Sequence, residues 1–183
     1  MRKIVLLAST ILFTSSLSSP AQTAPTLASP LASCGDERVT FDVSRGPAGS
    51  QATPEPGKAT IYIIEISDLH DKGKMGRPLI RHAMDGNWIG ATQGFTYIAA
   101  SVGPGAHHLC SQWQSNLRIR SDQVSLNNFQ AEAGRTYYFR LQIGYEANVN
   151  GGAPMFLDLQ PVSDDEGILL VSRAAQSISK PGK

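Results

Sequence analysis

The sequence predicts a mainly β protein, an antiparallel β-sandwich with one C-terminal helix. Short runs of alternating or β-branched residues are separated by Gly, Pro, Asn and Asp at intervals of roughly 8–12 residues. Near the C-terminus the hydrophobic period changes from that of a strand to that of a helix. About seven to nine strands with this turn spacing are typical of a sandwich rather than a parallel sheet.

Composition bounds the class of protein. The 183 residues are 41% hydrophobic and 17% charged, with 16 basic and 15 acidic side chains. This is too apolar for a disordered chain and enough for one domain with a core. The even charge balance argues against nucleic acid as a partner, because phosphate contacts need an excess of Lys and Arg. No segment after residue 21 approaches the length of a transmembrane span.

Residues 1–21 have the layout of a secretory signal peptide. Arg2 and Lys3 precede the apolar run 4–17, and small residues at 19–21 provide a cleavage site after Ala21. The run is too short for a stable membrane anchor, so we expect an exported protein, periplasmic or extracellular. The alternative, a buried N-terminal helix, is disfavoured by the prolines that follow directly.

Cys34 and Cys110 are the only cysteines. An even count in an exported protein predicts a disulfide, which would stabilise the fold by roughly 4.5 kcal/mol in the chain-entropy model. Residues 31–34, Leu-Ala-Ser-Cys, also match the signal that precedes a lipid-modified cysteine, so an outer-membrane lipoprotein acylated at Cys34 is the alternative. The polar spacer between the apolar run and Cys34 favours the disulfide.

The chain then divides into an arm, a domain and a tail. Residues 22–57 read as a linker or arm with a short strand at about 38–43, and residues 58–176 as the sandwich domain. Residues 177–183 read as a tail. Inside the domain, the first long strand, at 59–66, is apolar on both faces, which predicts a central strand covered on both sides.

Turn chemistry places the next strands. Asp85 and Gly86 tolerate the positive φ of a tight turn and predict a hairpin between strands at 79–84 and 87–91. A strand at 95–102 ends at a Gly-Pro-Gly turn. In the run 107–114, alternation puts Leu109 and Trp113 on one face and His108 and Cys110 on the other. A less regular strand follows at 124–130.

Residues 136–143 show the clearest half-buried strand. Four apolar side chains alternate with polar ones and are predicted to face the core: Tyr137, Phe139, Leu141 and Ile143. A strand at 155–160 precedes a helix at about 163–175. The Ser163 side chain can accept a hydrogen bond from an unpaired N–H group at the start of that helix, and the three acidic residues that follow are favoured there by the helix dipole. Its buried stripe is predicted to be Ile168, Leu169, Val171 and Ala175.

Four stretches in order carry a family resemblance: Pro56–Ala59, Met84–Gly90, Val102–His108 and Ala131–Tyr138. Together they resemble the bacterial domain-of-unknown-function family 2846, a group of exported or lipid-anchored envelope proteins, and more distantly the sandwich modules called PEGA domains. The resemblance covers roughly residues 56–172. It implies a transthyretin-like or immunoglobulin-like sandwich in the cell envelope, and it provides no catalytic residues.

The polar residues predict no catalytic, cofactor or metal site. The residues closest to a metal set are His82, His107, His108 and Cys110. Adjacent histidines in a strand point to opposite faces, so His107 and His108 cannot easily share an ion. A nucleophile elbow is absent from the sequence, which leaves a hydrolase that uses His107 or His108, with Ser101 or Ser111 nearby, as a weak alternative.

Trp88, Trp113, Tyr138 and Phe156 are candidates for an aromatic face that binds a glycan or a peptide. The competing interpretation is that the C-terminal helix or the N-terminal arm covers them. We therefore expect a non-enzymatic, exported envelope protein that acts as a binding or structural module, with another envelope protein or a glycan as partner. The ligand is not specified by the sequence.

Overall fold

A computed structural model describes residues 34–66, 78–114, 124–145 and 155–182. The predicted leader and residues 22–33 lie outside these ranges. Within them the chain forms ten strands and one helix, in this order: β1 (Phe41–Ala48), β2 (Ala59–Glu65), β3 (Leu79–Met84), β4 (Asn87–Gln93), β5 (Thr96–Val102), β6 (Gly105–Gln114), β7 (Val124–Ala131), β8 (Thr136–Tyr145), β9 (Met155–Val162), α1 (Asp164–Arg173) and β10 (Ala175–Pro181). In the described ranges, no helix combines the length and the hydropathy needed to cross a membrane.

The strands form two sheets in a sandwich-like arrangement. The six-stranded sheet has the order β1-β10-β5-β2-β8-β9, and the four-stranded sheet has the order β4-β3-β6-β7. Two neighbouring pairs are parallel, β2 with β8 and β5 with β10, which corrects the prediction of a purely antiparallel fold. Parallel neighbours need a crossover connection. Between β2 and β8 the chain forms the four strands of the other sheet and returns once to the six-stranded sheet as β5. Helix α1 connects β9, at the edge, to β10.

Apolar side chains from both sheets fill the space between them. This core contains buried residues from seven strands, among them Ile61, Ile63, Ile80, Ile98, Leu109, Trp113, Phe139, Leu141 and Leu159. The predicted inward faces of β6 and β8 are therefore confirmed. The Asp85-Gly86 hairpin is confirmed as well, since both residues have positive φ, 51° and 80°.

Strand β2 is buried along its whole length. Ile61 and Ile63 point into the core between the sheets, whereas Tyr62 and Ile64 point to the outer side and pack in a second cluster that includes Val171 of α1. The prediction of a central strand covered on both sides is confirmed. The six-stranded sheet thus has the four-stranded sheet on one face and α1 on the other.

Helix α1 begins as predicted but turns a different side to the sheet. The Ser163 hydroxyl accepts a hydrogen bond from the Glu166 N–H at 3.3 Å, as expected for an N-cap. The predicted buried stripe is wrong at Ile168 and Leu169, which are 52% and 48% exposed. Val171 is buried as predicted.

The reason for this rotation is a glycine. Gly167 lies directly against the ring of Tyr138 on β8, and a Cβ at this position would overlap the ring. The close approach of backbone to ring makes Gly167 and Val171 the buried residues of the helix. Ala175, predicted as the last residue of the stripe, belongs to β10.

The domain is longer than predicted at both ends. The N-terminal strand extends over Phe41–Ala48 instead of 38–43, and most of the predicted tail forms β10, which pairs with β1. The strands of the two sheets therefore extend over residues 41–181, beyond the predicted bounds of 58–176. Both strands are largely polar. β1 is the edge strand, β10 lies between β1 and β5, and each pairs with a strand that is remote in sequence.

Side chains close the two open sides between the sheets. On one side, the hydroxyls of Ser177 and Ser179 on β10 bond both backbone groups of Ala91 on β4. On the other side, the Ser125 hydroxyl of β7 accepts the N–H of Leu159 on β9, and the Asn127 side chain donates to the Leu159 carbonyl, both at 3.0 Å. Backbone groups that an edge strand would otherwise leave unpaired are satisfied at these positions.

Replacing Gly167 tests the contact between α1 and β8. Alanine at an exposed helix position normally stabilises by about 1 kcal/mol relative to glycine. We expect Gly167→Ala to destabilise instead, by about 1–3 kcal/mol, because the new methyl group overlaps the Tyr138 ring. Urea unfolding measures the change. Leu169→Ala, on the exposed side of the helix, is the control and should shift stability by about 0.5 kcal/mol or less. A Gly167→Ala protein more stable than wild type would refute this packing.

Candidate functional site

A cavity of about 400 Å³ opens on the outer face of the six-stranded sheet. We call it the tyrosine groove. Its floor consists of Thr60 and Tyr62 of β2 and Thr136 and Tyr138 of β8, and its walls are the segment 49–54 and helix α1. The volume lies within the range of pockets that hold small-molecule ligands.

Parallel pairing builds the floor. The register of β2 with β8 places Thr60 beside Thr136 and Tyr62 beside Tyr138. The two tyrosine rings are stacked, with centroids 5.3 Å apart and planes 15° from parallel. Two hydroxyl-bearing pairs from distant parts of the sequence therefore lie side by side on one face.

Tyrosine hydroxyls fix the wall that precedes β2. The Ala52 N–H donates to the Tyr62 hydroxyl at 2.8 Å. The Tyr97 hydroxyl donates to the backbone carbonyl of Ser50. Both rings are buried in the second cluster, so these hydrogen bonds fix the position of the wall relative to the sheet.

Helix α1 forms the opposite wall through Ile168, Val171 and Ser172. An ion pair between Arg140 of β8 and Glu166, at 2.7 Å, joins the helix to the sheet beside the groove. Both side chains of this pair are partly exposed, so it contributes little stability and serves mainly to fix position. The groove is thus bounded by walls that are each bonded to the sheet.

The groove is electrically neutral and rich in hydroxyl groups. None of its described lining residues carries a charge. In the described part of the chain, no hydrogen-bond partner is present for the hydroxyls of Thr60, Thr136 and Tyr138, and Thr60 is only 4% exposed. Burial, with smaller effects from Tyr62 and Asp164, raises the pKa of Tyr138, so its hydroxyl keeps its proton.

The structure does not bring the four predicted binding aromatics together. Tyr138 lines the groove, but Trp113 is 8% exposed and lies in the core between the sheets. Trp88 donates its Nε1–H to the carbonyl of Asp36 at 2.7 Å, on the far side of the four-stranded sheet. Phe156 is 42% exposed on β9. The neighbours that Tyr138 does have were missed, because sequence alternation does not reveal which strand pairs with β8.

The predicted disulfide is present between Cys34 and Cys110. It attaches residues 34–40, the N-terminal strap, to the outer face of the four-stranded sheet. Within this bond the sulfur of Cys34 has no free valence for the thioether that acylation would form. The strap is thus covalently part of the domain.

Arg81 binds the strap from the outer face of the four-stranded sheet. Its guanidinium donates to the carbonyls of Glu37 and Val39 and to Gln112 Oε1, and it lies over the Trp88 ring at 4.4 Å. Burial lowers the pKa of Arg81. The cation is balanced by carbonyl dipoles and the face of an aromatic ring, which binds the strap without a buried carboxylate.

The histidines do not assemble a catalytic or metal centre in the described ranges. His107 lies at the end of the four-stranded sheet, with Nδ1 2.6 Å from Asp85 Oδ2 and Nε2 2.9 Å from the Gly103 carbonyl. Ser111, one of the two serines considered for a hydrolase, bonds to His82 and not to His107 or His108. No group of three His, Cys, Asp or Glu side chains among the described residues is arranged to hold a metal ion.

His82 belongs to a buried polar chain between the sheets. Its Nδ1 lies 2.9 Å from the Ser111 hydroxyl and its Nε2 2.9 Å from the Thr92 hydroxyl. Thr92 also acts on Glu65, whose Oε1 accepts the Gly94 N–H at 2.9 Å and whose buried Oε2 has no hydrogen-bond partner among the described residues. Burial lowers the pKa of His82 to about 3 and raises that of Glu65 to about 8, so both groups are neutral near pH 7.

Glu65 should make stability depend on pH. In the folded protein the pKa of Glu65 is about 8, above its ordinary value of 4.5. The contribution of Glu65 to stability is therefore complete below pH 4.5 and is lost as the pH rises through 8. In the wild type, we expect Glu65 to lower the free energy of unfolding by up to about 1.4 kcal/mol for each pH unit between pH 5 and 8. Glu65→Gln should remove this decrease. His82 acts in the opposite direction below pH 6.5 in both proteins, so the difference between them isolates Glu65.

Urea midpoints of wild type and Glu65→Gln at pH 5, 6, 7 and 8 measure this difference. Glu132→Gln removes an exposed carboxylate and is the matched control, with a profile expected to parallel wild type. If wild type and Glu65→Gln keep the same slope over this range, Glu65 is ionised in the folded protein and the assignment fails.

Comparison with known proteins gives no relative for this chain. No family model matches it, no curated protein is similar to it, and no solved structure resembles it. The geometry of the groove, the strap and the buried chain is therefore the basis for a functional assignment.

Proposed function

We propose that the chain is a non-enzymatic, exported binding module of the bacterial cell envelope, with its ligand in the tyrosine groove. The observation that carries the proposal is the groove itself. It has the volume of a ligand pocket, two walls bonded to the sheet, and hydroxyls on its floor that have no partner among the described residues. A preformed pocket with convergent polar groups is the default binding site of a domain.

Two features support export. Residues 1–21 have the order of a secretory signal peptide, and the disulfide between Cys34 and Cys110 is of the kind that persists in oxidising compartments. The sandwich-like arrangement of sheets is compatible with a transthyretin-like or immunoglobulin-like module, and with the resemblance to family 2846. The disulfide favours this form over a lipoprotein acylated at Cys34, because one sulfur cannot serve both bonds.

A photoreactive amino acid at position 168 tests the proposal in intact cells. Ile168 lies on the rim of the groove and is half exposed, so the replacement should leave the fold intact. We expect irradiation to give a specific adduct whose mass identifies the class of molecule in the groove. The same residue at position 126 on β7, where Leu126 is also exposed, is the control and should give no such adduct. No adduct at 168, or equal adducts at both positions, would overturn the proposal.

The intact mass of the same preparation reports the state of Cys34. The disulfide form gains the mass of two hydrogen atoms on reduction. A protein several hundred daltons heavier than the unmodified chain would be acylated, and the lipoprotein alternative would replace the disulfide-bonded form.

A further inference from the structure

We infer that the tyrosine groove binds a neutral, hydroxyl-rich ligand, a saccharide unit, and this inference rests on the proposed function. The floor presents Thr60, Thr136 and Tyr138, and each hydroxyl is both a donor and an acceptor. The Tyr62 hydroxyl accepts from Ala52 and still has a proton to donate. A row of groups that donate and accept alike matches a ligand whose own groups are also hydroxyls.

The described lining of the groove disfavours ionic ligands. A phosphate or carboxylate would be held by Arg or Lys, and an ammonium group by Asp or Glu. The described lining residues include none of these. Beside the groove, Arg140 and Glu166 are paired with each other at 2.7 Å, and Asp164, whose charge acts on Tyr138, is not one of the described lining residues. An ionic ligand therefore meets no opposite charge among the described lining residues.

The floor disfavours a purely apolar ligand such as an acyl chain. Such a chain would cover the hydroxyls of Thr60, Thr136 and Tyr138 without bonding them, and each buried polar group left unpaired costs about 1–3 kcal/mol. A saccharide ring has hydroxyls at its rim for these groups. Its C–H faces can contact Ile168 and Val171 on the helical wall.

The geometry also disfavours an extended peptide. Peptides that add to a sheet bond the free backbone of an edge strand. The groove instead lies over β2 and β8, which are both internal strands of the six-stranded sheet. Their backbone groups are used in the sheet, so recognition depends on side chains alone.

Titration of the isotope-labelled, disulfide-bonded protein with defined probes tests the inference. The probes are maltose, cellobiose and diacetylchitobiose as neutral disaccharides, a diuronic acid as the charged analogue, blocked trialanine as the peptide, and octanol as the apolar probe. We expect at least one neutral disaccharide to shift the backbone amide signals of Thr60, Tyr62 and Thr136, and to bind more tightly than the other three classes.

Neighbouring tyrosines provide the matched variants. Tyr138→Phe keeps the stacked ring and removes only the groove hydroxyl, so we expect binding of the disaccharide to weaken about three- to tenfold. Tyr137 lies on the opposite face of β8, and its hydroxyl accepts the Glu132 N–H at 3.0 Å, outside the groove. Tyr137→Phe should bind the disaccharide like wild type.

The outcomes separate the inference from the proposal beneath it. If the peptide, the octanol or the diuronic acid shifts the groove signals more strongly than every neutral disaccharide, the ligand class is wrong and the groove remains a binding site. Equal weakening by Tyr137→Phe and Tyr138→Phe also overturns the ligand class. If no probe shifts the groove signals and position 168 gives no adduct in cells, the proposed function fails with it.

Discussion

Burial of β2 on both faces is the constraint on which the rest of the structure depends. Ile61 and Ile63 need a cover on one side of the sheet, and Tyr62 and Ile64 need one on the other. Each of these side chains is worth about 1.5–3 kcal/mol when it leaves water. A single sheet cannot provide that burial, so the chain must supply two further layers.

The two covers are built differently, and the groove results from that difference. The four-stranded sheet lies over the inner face and closes it completely along Ile61 and Ile63. The outer face is covered by α1 and by the segment 49–54, which do not meet above Thr60 and Tyr62. The gap between them is the tyrosine groove. Thr60 and Tyr62 are each only 4% exposed, and their hydroxyl groups can bond to a molecule in the gap as an isoleucine side chain could not.

Local patterns in the sequence predicted the elements well and their long-range partners poorly. The alternation in β8, the Asp85-Gly86 turn and the Ser163 cap are all local and were confirmed. The parallel pairing of β2 with β8 is not local, and it alone places Tyr62 beside Tyr138. The exposed side of α1 was mistaken for its buried side because hydrophobicity favoured Ile168 and Leu169, whereas the close contact at Gly167 determined the orientation.

The buried Glu65 shows a further limit of sequence reasoning. A carboxylate at the end of an apolar strand is normally read as the point where the strand reaches water. Here β2 remains buried to its last residue, and Thr92 and Gly94 solvate the carboxyl group instead. Its partners come from β4 and from the turn after it, a placement that only the assembled sheets reveal.

Hydrogen exchange of the β2 amides tests the double cover most directly. The structure predicts that the amides of residues 61–64 exchange only through global unfolding, with a free energy equal to that from urea denaturation. Helix α1 covers one face only, so the free energy of exchange of its amides should be equal to or lower than that of global unfolding. If the β2 amides exchange through a smaller opening, together with those of α1, the strand is not held from both sides and the account is contradicted.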